Sequence, residues 1–369
     1  MSILDAHREA LSLLAHRSRR RSLIPRRGHD FASNDYLGLA NAPDLRRAVV
    51  EALDRGVAIG AGGSRLLRGN DPEHEALEAE AAAFFGSETA LFFSTGFAAN
   101  SAIFSTLPAG RDLIVHDALI HASAHEGMRL GRATAVPAAH NDVDAYADAI
   151  SAWRADGNKG RVWIAVESLY SMDGDIAPLE ALAELAEREQ AFLVIDEAHA
   201  TGVFGDNGRG LADALDGREY VVTLRTCGKA LGCEGALVCL PRVLSDTLVN
   251  KARGFIFSTA PSPLSAAAVR ASLQLIRTQP ERRERLARLV AFAGSRLPGQ
   301  GSQIIPVILG EDARTMTVAA ALQERGFDVR GIRPPTVPAG TARLRVSLTL
   351  NVDESMVAAL ADAIAELSA

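Results

Sequence analysis

The chain has 369 residues, of which 39 are Lys or Arg and 45 are Asp or Glu, so its formal net charge at neutral pH is −6. One hydrophobic core usually stops growing below this length, so we expect two structural domains, built largely from the 48% of residues that are apolar. The negative balance argues against nucleic-acid binding as the main function and favours an enzyme acting on small molecules.

The N-terminal region has no pattern typical of secretion or membrane insertion. There is no apolar run of the roughly 18 residues that suggest a membrane-spanning helix, and Asp5 and Glu9 lie where a signal peptide needs a basic and then an apolar region. The segment from Arg17 to Arg27 contains six arginines and no acid. We interpret it as a solvated basic face, with a transit peptide or contact with an anionic substrate carrier as alternatives.

The three cysteines lie close together in sequence, at Cys227, Cys233 and Cys239. Their spacing matches neither a zinc ribbon nor a redox CxxC motif. We therefore expect reduced thiols, no metal site and a cytoplasmic location.

Strand and helix patterns alternate after a helical N-terminal segment. Short β-branched or aromatic runs predict strands, and longer amphipathic stretches such as Leu179–Gln190 predict helices. The predicted strands are Ala90–Phe93, Leu113–Val115, Val162–Val166, Phe192–Ile195 and Tyr220–Leu224. This alternation indicates an α/β fold with a mainly parallel sheet, whose ligands gather beyond the carboxyl ends of the strands.

The pattern changes at about Ser262, where a long helix begins. Shorter strands, Ile304–Leu309 and Arg343–Leu348, then lie between helices and indicate a smaller α+β domain. We therefore predict an N-terminal helical segment over residues 1–40, a large domain over residues 41–261 and a small C-terminal domain over residues 262–369.

A carboxylate and an imidazole, Asp196 and His199, follow the predicted strand Phe192–Ile195. A buried carboxylate at this position needs a cationic partner. The protonated pyridine nitrogen of pyridoxal phosphate (PLP) is such a partner, and its protonation makes the ring an electron sink for a carbanion at a substrate α-carbon. Taken alone, the run Asp196–His199 also fits a Walker-B-like or helicase-type acidic strand end.

A lysine between glycines follows the next predicted strand, in the run Gly228-Lys229-Ala230-Leu231-Gly232. Glycines let the backbone bend and leave room for a cofactor, which a lysine that binds a cofactor covalently requires. A Gly-Lys pair alone usually marks a solvated lysine. Combined with the strand-end Asp196 and His199, it indicates PLP.

The run Ser94–Asn100 follows the strand Ala90–Phe93 and begins a predicted helix. Free backbone N–H groups and the helix dipole make such a position a natural phosphate site. A nucleotide P-loop is the alternative, but GxxxxGK[ST] is absent and the glycine-rich run Gly60–Ser64 follows no convincing strand.

These motifs together resemble the α-oxoamine synthase family, over a span from about residue 19 to the C-terminus. The motifs that occur in the order of that family are Asn34–Gly38, Ser94–Asn100, Ser171–Asp175, Asp196–Gly202 and Thr226–Lys229. The stretch Ile332–Arg345 is similar to the branch that condenses L-alanine with a pimeloyl thioester, carried on coenzyme A or on acyl carrier protein.

The resemblance implies the type I fold of PLP-dependent transferases, which is aspartate aminotransferase-like, with PLP as cofactor and a homodimer with shared active sites. A glycine-using relative, such as 2-amino-3-ketobutyrate ligase or 5-aminolevulinate synthase, is the alternative within the family. An aminotransferase on the same fold and a non-catalytic partner subunit are further alternatives. Lys229 argues against the last, because such subunits typically lose the cofactor lysine.

The resemblance also assigns roles at the cofactor. Lys229 would bind PLP and remove the substrate α-proton, Asp196 would bind the pyridine nitrogen, and His199 would bond the ring hydroxyl. His121 would stack on the ring, although a structural histidine at a helix start is its ordinary interpretation. The other implied contacts are Ser171 beside the ring hydroxyl, Thr226 and the amides of Gly96 and Phe97 at the phosphate, and Ser258 and Thr259 at the partner's phosphate.

Four residues are implied to bind substrates. Arg343 and Arg345 share a face of an alternating strand, and a guanidinium can hold a carboxylate through two parallel hydrogen bonds. The resemblance selects Arg345 for the alanine carboxylate, assisted by Asn34, and leaves Arg343 with a structural salt bridge as its ordinary interpretation. Arg19 and Thr336 are implied to contact the acyl substrate.

The sequence departs from the family pattern near the lysine. Lys229 follows His199 by one residue more than expected, with Arg225 as the apparent extra residue, which puts the local strand register in question. Glu234 is also atypical, and we expect its carboxylate to point away from Lys229.

Overall fold

The computed structural model describes residues 2–368. Its helices are α1 (Asp5–His16), α2 (Pro43–Asp54), α3 (Pro72–Phe85), α4 (Gly96–Thr106), α5 (Ala122–Leu130), α6 (Val143–Ala155), α7 (Leu179–Glu189), α8 (Arg242–Lys251), α9 (Arg253–Ile256), α10 (Pro263–Thr278), α11 (Glu281–Gly294), α12 (Asp312–Glu324) and α13 (Glu354–Ser368). Its strands are β1 (His29–Asp30), β2 (Thr89–Phe93), β3 (Leu113–Asp117), β4 (Thr134–Ala138), β5 (Val162–Glu167), β6 (Phe192–Asp196), β7 (Val221–Thr226), β8 (Ala236–Leu240), β9 (Ile304–Gly310), β10 (Phe327–Asp328), β11 (Arg330–Ile332) and β12 (Ala342–Ser347).

The contacts divide the chain into two compact units. The larger comprises Leu37–Ser171 and Ile176–Arg283, and the other comprises the residues up to Tyr36, Met172–Asp175 and the residues from Glu284. The N-terminal segment therefore groups with the C-terminal part of the chain, and α10 groups with the larger unit. These boundaries differ from those predicted at residues 40 and 261, because α10 packs on α2 and α3 while β1 pairs with β10.

The larger unit is built on a seven-stranded sheet in the order β2-β8-β7-β6-β5-β3-β4. Only the pairings of β8 with β2 and β7 are antiparallel, so the predicted α/β fold with a mainly parallel sheet is confirmed. All five strands predicted in this unit are present.

Both faces of this sheet are buried, which explains the nearly continuous apolar runs of its strands. Val194 of β6 joins one core cluster with α4 and α5, whereas its neighbours Leu193 and Ile195 join the cluster on the opposite face with α6 and α7. Helix α7 buries Leu182 and other residues three or four positions apart, the spacing of one helical face.

Strands β4 and β8 were not predicted. Strand β4 lies at the sheet edge, is largely exposed and contains Pro137, which is unfavourable in a central strand. Strand β8 is fully buried and returns antiparallel beside β7.

The other unit contains a three-stranded antiparallel sheet in the order β11-β12-β9 and the short parallel pair β1 and β10. Strand β12 is buried at every position, and α12 and α13 contact each other. Helix α1 has no buried residue. Strands β9 and β12 confirm the two strands predicted in this part of the sequence.

Arg225 is an ordinary residue of β7. The ladder of β7 with β8 runs through Arg225, and the ladder with β6 reaches Leu224, both without a register shift, so the question about local register is resolved in favour of a regular strand. Among residues 2–368, no helix combines the length and the apolar character needed to cross a membrane.

Candidate active site

The carboxyl ends of β5, β6 and β7 bring three polar side chains to one edge of the sheet: Glu167, Asp196 and Thr226. Glu167 and Asp196 are direct partners in the parallel ladder of β5 and β6. This is the edge at which ligands of parallel sheets bind.

Asp196 is buried, with 8% of its surface exposed. Its Oδ2 accepts a hydrogen bond from Asn100 Nδ2 at 2.8 Å, and its Oδ1 accepts one from the backbone N–H of Ala198 at 2.9 Å. Asn100 also donates to Ser123 Oγ. Both donors to Asp196 are neutral, so the site places a carboxylate where a cationic group would be strongly favoured.

Lys229 lies beside His199, with 2.8 Å between Lys229 Nζ and His199 Nε2. The turn that presents the lysine is closed by a hydrogen bond from Gly232 N to Lys229 O. Gly232 has a positive φ, and a Cβ at that position would overlap the backbone at Ala40. Glycine is therefore required there by both conformation and space.

Helix α4 begins at Gly96, and Thr95 caps it by accepting a hydrogen bond from Ala98 N at 3.0 Å. The amides of the first helical turn have no partner within the helix, so they can bind an anion. A Cβ on Gly96 would lie 3.7 Å from Thr226 Oγ1, so the hydroxyl and the helix start are neighbours. The structure thus brings three of the predicted phosphate ligands, Gly96, Phe97 and Thr226, into one place.

His121 is the N-cap of α5, where its Nδ1 accepts from the backbone N–H of Ser123. Desolvation lowers the pKa of His121, the Asp196 carboxylate opposes this shift, and Lys229 adds to it. The ring therefore lies within the electrostatic reach of both groups and is neutral at pH 7. His121 therefore caps a helix and also lies near the predicted cofactor residues.

The backbone N–H of Ser171 donates to Glu167 Oε2 at 3.1 Å. Ser258 and Thr259 lie in an exposed loop after α9. Glu234 is exposed.

The predicted substrate residues, Arg19, Asn34, Thr336 and Arg345, belong to the other unit. Arg345 is buried, and its Nη1 donates to Asn34 Oδ1 at 3.1 Å and to Ser347 Oγ at 2.6 Å. Arg345 and Asn34 are therefore neighbours, as expected.

Two further arginines of this unit, Arg343 and Arg19, form ion pairs. Arg343 is buried and forms an ion pair with Asp173, which confirms its interpretation as a structural residue. Arg19 pairs with Asp312 at 2.8 Å. The arginine that contacts Thr336 Oγ1 is Arg21, at 3.4 Å.

A model of the class I and II aminotransferase family matches residues 27–364 of the chain. The chain belongs to this family. It is 45% identical over 336 residues to an 8-amino-7-oxononanoate synthase of Anaeromyxobacter dehalogenans, covering 89% of this chain and 83% of the relative. The corresponding enzyme of Geobacter sulfurreducens is 44% identical over 333 residues, covering 88% and 84%.

Solved structures give the same family. A serine palmitoyltransferase of S. paucimobilis with PLP and myriocin bound matches with a TM-score of 0.88 and 26% identity, covering 100% of this chain and 99% of that chain. An 8-amino-7-oxononanoate synthase of Francisella tularensis matches with a TM-score of 0.77 and 29% identity, covering 92% and 97%. The chain is a PLP-dependent transferase of the α-oxoamine synthase group.

The residues of the larger unit fit PLP. The buried Asp196 carboxylate, with only neutral donors bonded to it, matches a protonated pyridine nitrogen. The Lys229 amine can bind the cofactor covalently, and the start of α4 with Thr226 supplies phosphate donors.

Two residues of the site were not predicted. Asn100, the last residue of the phosphate motif, lies one helical turn from Gly96 and bonds Asp196. Glu167 ends β5, four residues before Ser171. Burial, and then the Asp196 carboxylate, raise the pKa of Glu167 to about 8, while Lys229 opposes the shift.

We predict that Glu167→Gln reduces the pH dependence of stability of the cofactor-free protein. Between the ordinary carboxyl value of 4.5 and the folded pKa of about 8, the folded state binds more protons than the unfolded state, so the free energy of unfolding falls as pH rises. Glutamine resembles the protonated acid and removes this contribution. Urea unfolding at about pH 5, 6.5 and 8 measures the effect.

Glu234→Gln, which removes an exposed carboxylate, is the control and should leave the slope of the wild-type protein unchanged. Parallel profiles for wild type and Glu167→Gln would show that Glu167 is ionised in the folded protein throughout this range.

Proposed function

We propose that the chain is an 8-amino-7-oxononanoate synthase that condenses L-alanine with a pimeloyl thioester, releasing carbon dioxide and the thiol. The observation that carries the proposal is the 45% identity over 89% of the chain to an enzyme of that name. The carboxylate, lysine and imidazole at the ends of β6 and β7 supply the chemistry that this reaction needs.

PLP, when bound, supplies the electron sink that stabilises negative charge at the alanine α-carbon. Lys229 is the base that takes the α-proton, and His199, 2.8 Å from its amine, orients the amine for this transfer. Asp196 would hold the pyridine nitrogen of bound PLP in its protonated form, because a buried carboxylate favours a cation beside it. Neutral His121 lies within the field of both groups and orients the substrate without adding charge.

The substrates need different contacts. We propose that Arg345 and Asn34 bind the alanine carboxylate, because a buried guanidinium can hold it through two parallel hydrogen bonds. Arg19 and Thr336 are proposed acyl contacts. Because Arg19 is paired with Asp312, it can bind an acyl carboxylate only by sharing or exchanging that partner.

The bond changes balance as follows. The alanine α-carbon, after losing its proton to Lys229, forms a carbon–carbon bond with the thioester carbonyl, and the carbon–sulfur bond breaks to release a thiolate, which takes a proton from solvent to become the thiol. The bond to the alanine carboxylate then breaks to release carbon dioxide, and the proton returns from Lys229. Holding both substrates in place supplies much of the rate increase.

The chain is also proposed to work in the cytoplasm. Within residues 2–368, none of Cys227, Cys233 and Cys239 forms a disulfide, and the first and last of them are buried. Reduced cysteines are typical of that compartment.

A product assay tests the function. The purified protein is incubated with PLP, with alanine or glycine, and with a pimeloyl, succinyl or acetyl thioester of coenzyme A or of acyl carrier protein. Among the possible products, 8-amino-7-oxononanoate should form fastest, as measured by mass spectrometry. Each methylene in an apolar pocket is worth about 1–3 kcal/mol, so each contributes a preference of roughly 10- to 200-fold at most. Lys229→Ala, the control, should remain folded, lose turnover and lose the visible absorbance of the bound cofactor.

Faster formation of aminoketobutyrate or aminolevulinate would reject the proposed substrates while leaving the family assignment intact. Normal activity of Lys229→Ala would reject the role of the lysine.

We further propose a homodimer with shared active sites. The loop with Phe257, Ser258 and Thr259 is hydrogen-bonded through Ala260 N to Gly63 O of an earlier loop. Both loops expose large apolar side chains: Ile59 (73%), Leu67 (85%) and Phe257 (72%). Exposed large apolar side chains on two hydrogen-bonded loops favour burial against a second copy of the chain.

Complementation tests the shared site. Lys229→Ala and the double variant Ser258→Ala/Thr259→Ala should each be inactive as homodimers. In random mixed dimers, half of all dimers, one of the two sites has both the wild-type lysine and the wild-type loop, so co-expression should restore about a quarter of wild-type activity. Absence of restored activity, or full activity of a monomer, would contradict the shared site.

A further inference from the structure

Arg225 lies at the centre of a buried ionic network that binds no substrate or cofactor in the reaction above. Its side chain is fully buried, as are those of Glu197 and Asp216. Arg225 Nη1 donates to Glu197 Oε2 at 3.3 Å, and Nη2 donates to Asp216 Oδ2 at 2.6 Å. The guanidinium carbon lies 4.1 Å from the centre of the Phe85 ring.

A buried ionic network of this kind is not expected to add much to the stability of the folded protein. Removing three charged groups from water is costly, and apolar residues of the same volume often give equal or greater stability. A buried network is better explained by what it holds in place.

The network joins β6 and β7 at the residues next to the cofactor ligands. Glu197 directly follows Asp196, and Arg225 directly precedes Thr226. The Glu197 N–H donates to Leu224 O at 2.8 Å, which continues the ladder one residue beyond β6. Because neighbouring residues of a strand point to opposite faces, Arg225 acts from the face opposite to that of Thr226.

The same network holds the connection between β6 and β7, residues 197–220, whose only regular element is the short 3₁₀ turn Asp206–Gly208. Glu197 Oε1 accepts from Ala212 N at 3.2 Å, and Arg225 Nη1 donates to the carbonyl oxygen of Arg209. Gly210 has a positive φ, and a Cβ there would overlap Glu197 Oε2. The connection is therefore fitted closely around the ion pair.

This connection begins with the turn that carries His199. The N–H groups of Ala200 and Thr201 both donate to the carbonyl oxygen of Glu197, which sets the turn directly after Asp196. Fixing Glu197 from the opposite face therefore fixes the position of Asp196 on one side and of His199 on the other.

We propose that Arg225 is a positioning residue for the cofactor: through Glu197 and Asp216 it holds Asp196, His199 and Thr226 in the geometry that binds PLP. The inference rests on the PLP dependence of the family and not on which amino acid or thioester the enzyme uses. Its test therefore uses cofactor binding, without substrate.

The charge of Arg225 gives the proposal a pH signature. Burial raises the pKa of Glu197 to about 7 and also raises that of Asp216, and Arg225 opposes both shifts. The other groups acting on these carboxyls are the Ser168 hydroxyl at Glu197 and the Thr223 hydroxyl and Arg209 at Asp216, while the Cys239 thiol lies beside Arg225 and Asp216. Without Arg225, the two carboxyls are accommodated when protonated and repel each other when ionised.

The experiment measures the dissociation constant of PLP for the full-length protein at about pH 6 and pH 8, together with the melting temperature of the cofactor-free protein. Arg225→Met should raise the dissociation constant at least about tenfold at pH 8 and by a smaller factor at pH 6. Arg225→Lys keeps the charge but loses the fork that reaches both carboxylates, so its dissociation constant at pH 8 should lie between those of wild type and Arg225→Met.

Arg270→Met is the matched control. Arg270 also binds two carboxylates, Glu73 and Glu80, but joins α10 to α3 instead of β6 to β7. The Arg270→Met substitution should lower the melting temperature and should change the dissociation constant of PLP by less than about twofold.

The double variant Arg225→Met/Glu197→Gln removes one charge of each sign and covers the case in which Arg225→Met does not fold. Its dissociation constant should exceed that of wild type by the same factor at both pH values. The proposal is overturned if Arg225→Met binds PLP as tightly as wild type, or if Arg225→Lys is as impaired as Arg225→Met. It is also overturned if Arg270→Met raises the dissociation constant of PLP as much as Arg225→Met does, or if the double variant keeps the pH dependence of Arg225→Met.

Discussion

The structure of the site depends on a negative charge buried at the carboxyl end of β6. Asp196 is held there by two neutral donors, Asn100 and the backbone of Ala198. Burial disfavours an ionised carboxylate unless a cation lies beside it. We propose that PLP would provide that cation in its pyridine nitrogen, so that the cost of burying Asp196 in the free protein would become a source of affinity and of electron withdrawal in the complex.

The surrounding residues limit the number of negative charges buried near Asp196. Lys229 lies 2.8 Å from His199, and the raised pKa of Glu167 keeps a second carboxyl protonated next to Asp196. On the opposite face of the sheet, Arg225 compensates Glu197, the residue that follows Asp196. A parallel sheet suits this arrangement because neighbouring strand ends bring residues distant in sequence to one edge.

Much of the site was predictable because its signals are local. Asp196, His199 and Lys229 each follow an apolar strand, and the glycine at 232 marks a turn that other residues cannot adopt. Glu167 and Asn100 were missed because their importance depends on strand register and on the packing of α4, which no local pattern records. The grouping of residues up to Tyr36 with the C-terminal part of the chain was missed for the same reason, since it depends on the pairing of β1 with β10.

The protonation state of the bound cofactor tests the central claim most directly. Nitrogen-15 NMR of the holoenzyme carrying PLP labelled at the pyridine nitrogen should show a protonated nitrogen in the wild-type protein at about pH 8, and loss of that proton in Asp196→Ala. An unprotonated nitrogen in the wild-type protein, or a protonated one in the variant, would contradict the claim that the buried carboxylate of Asp196 sets the charge of the site.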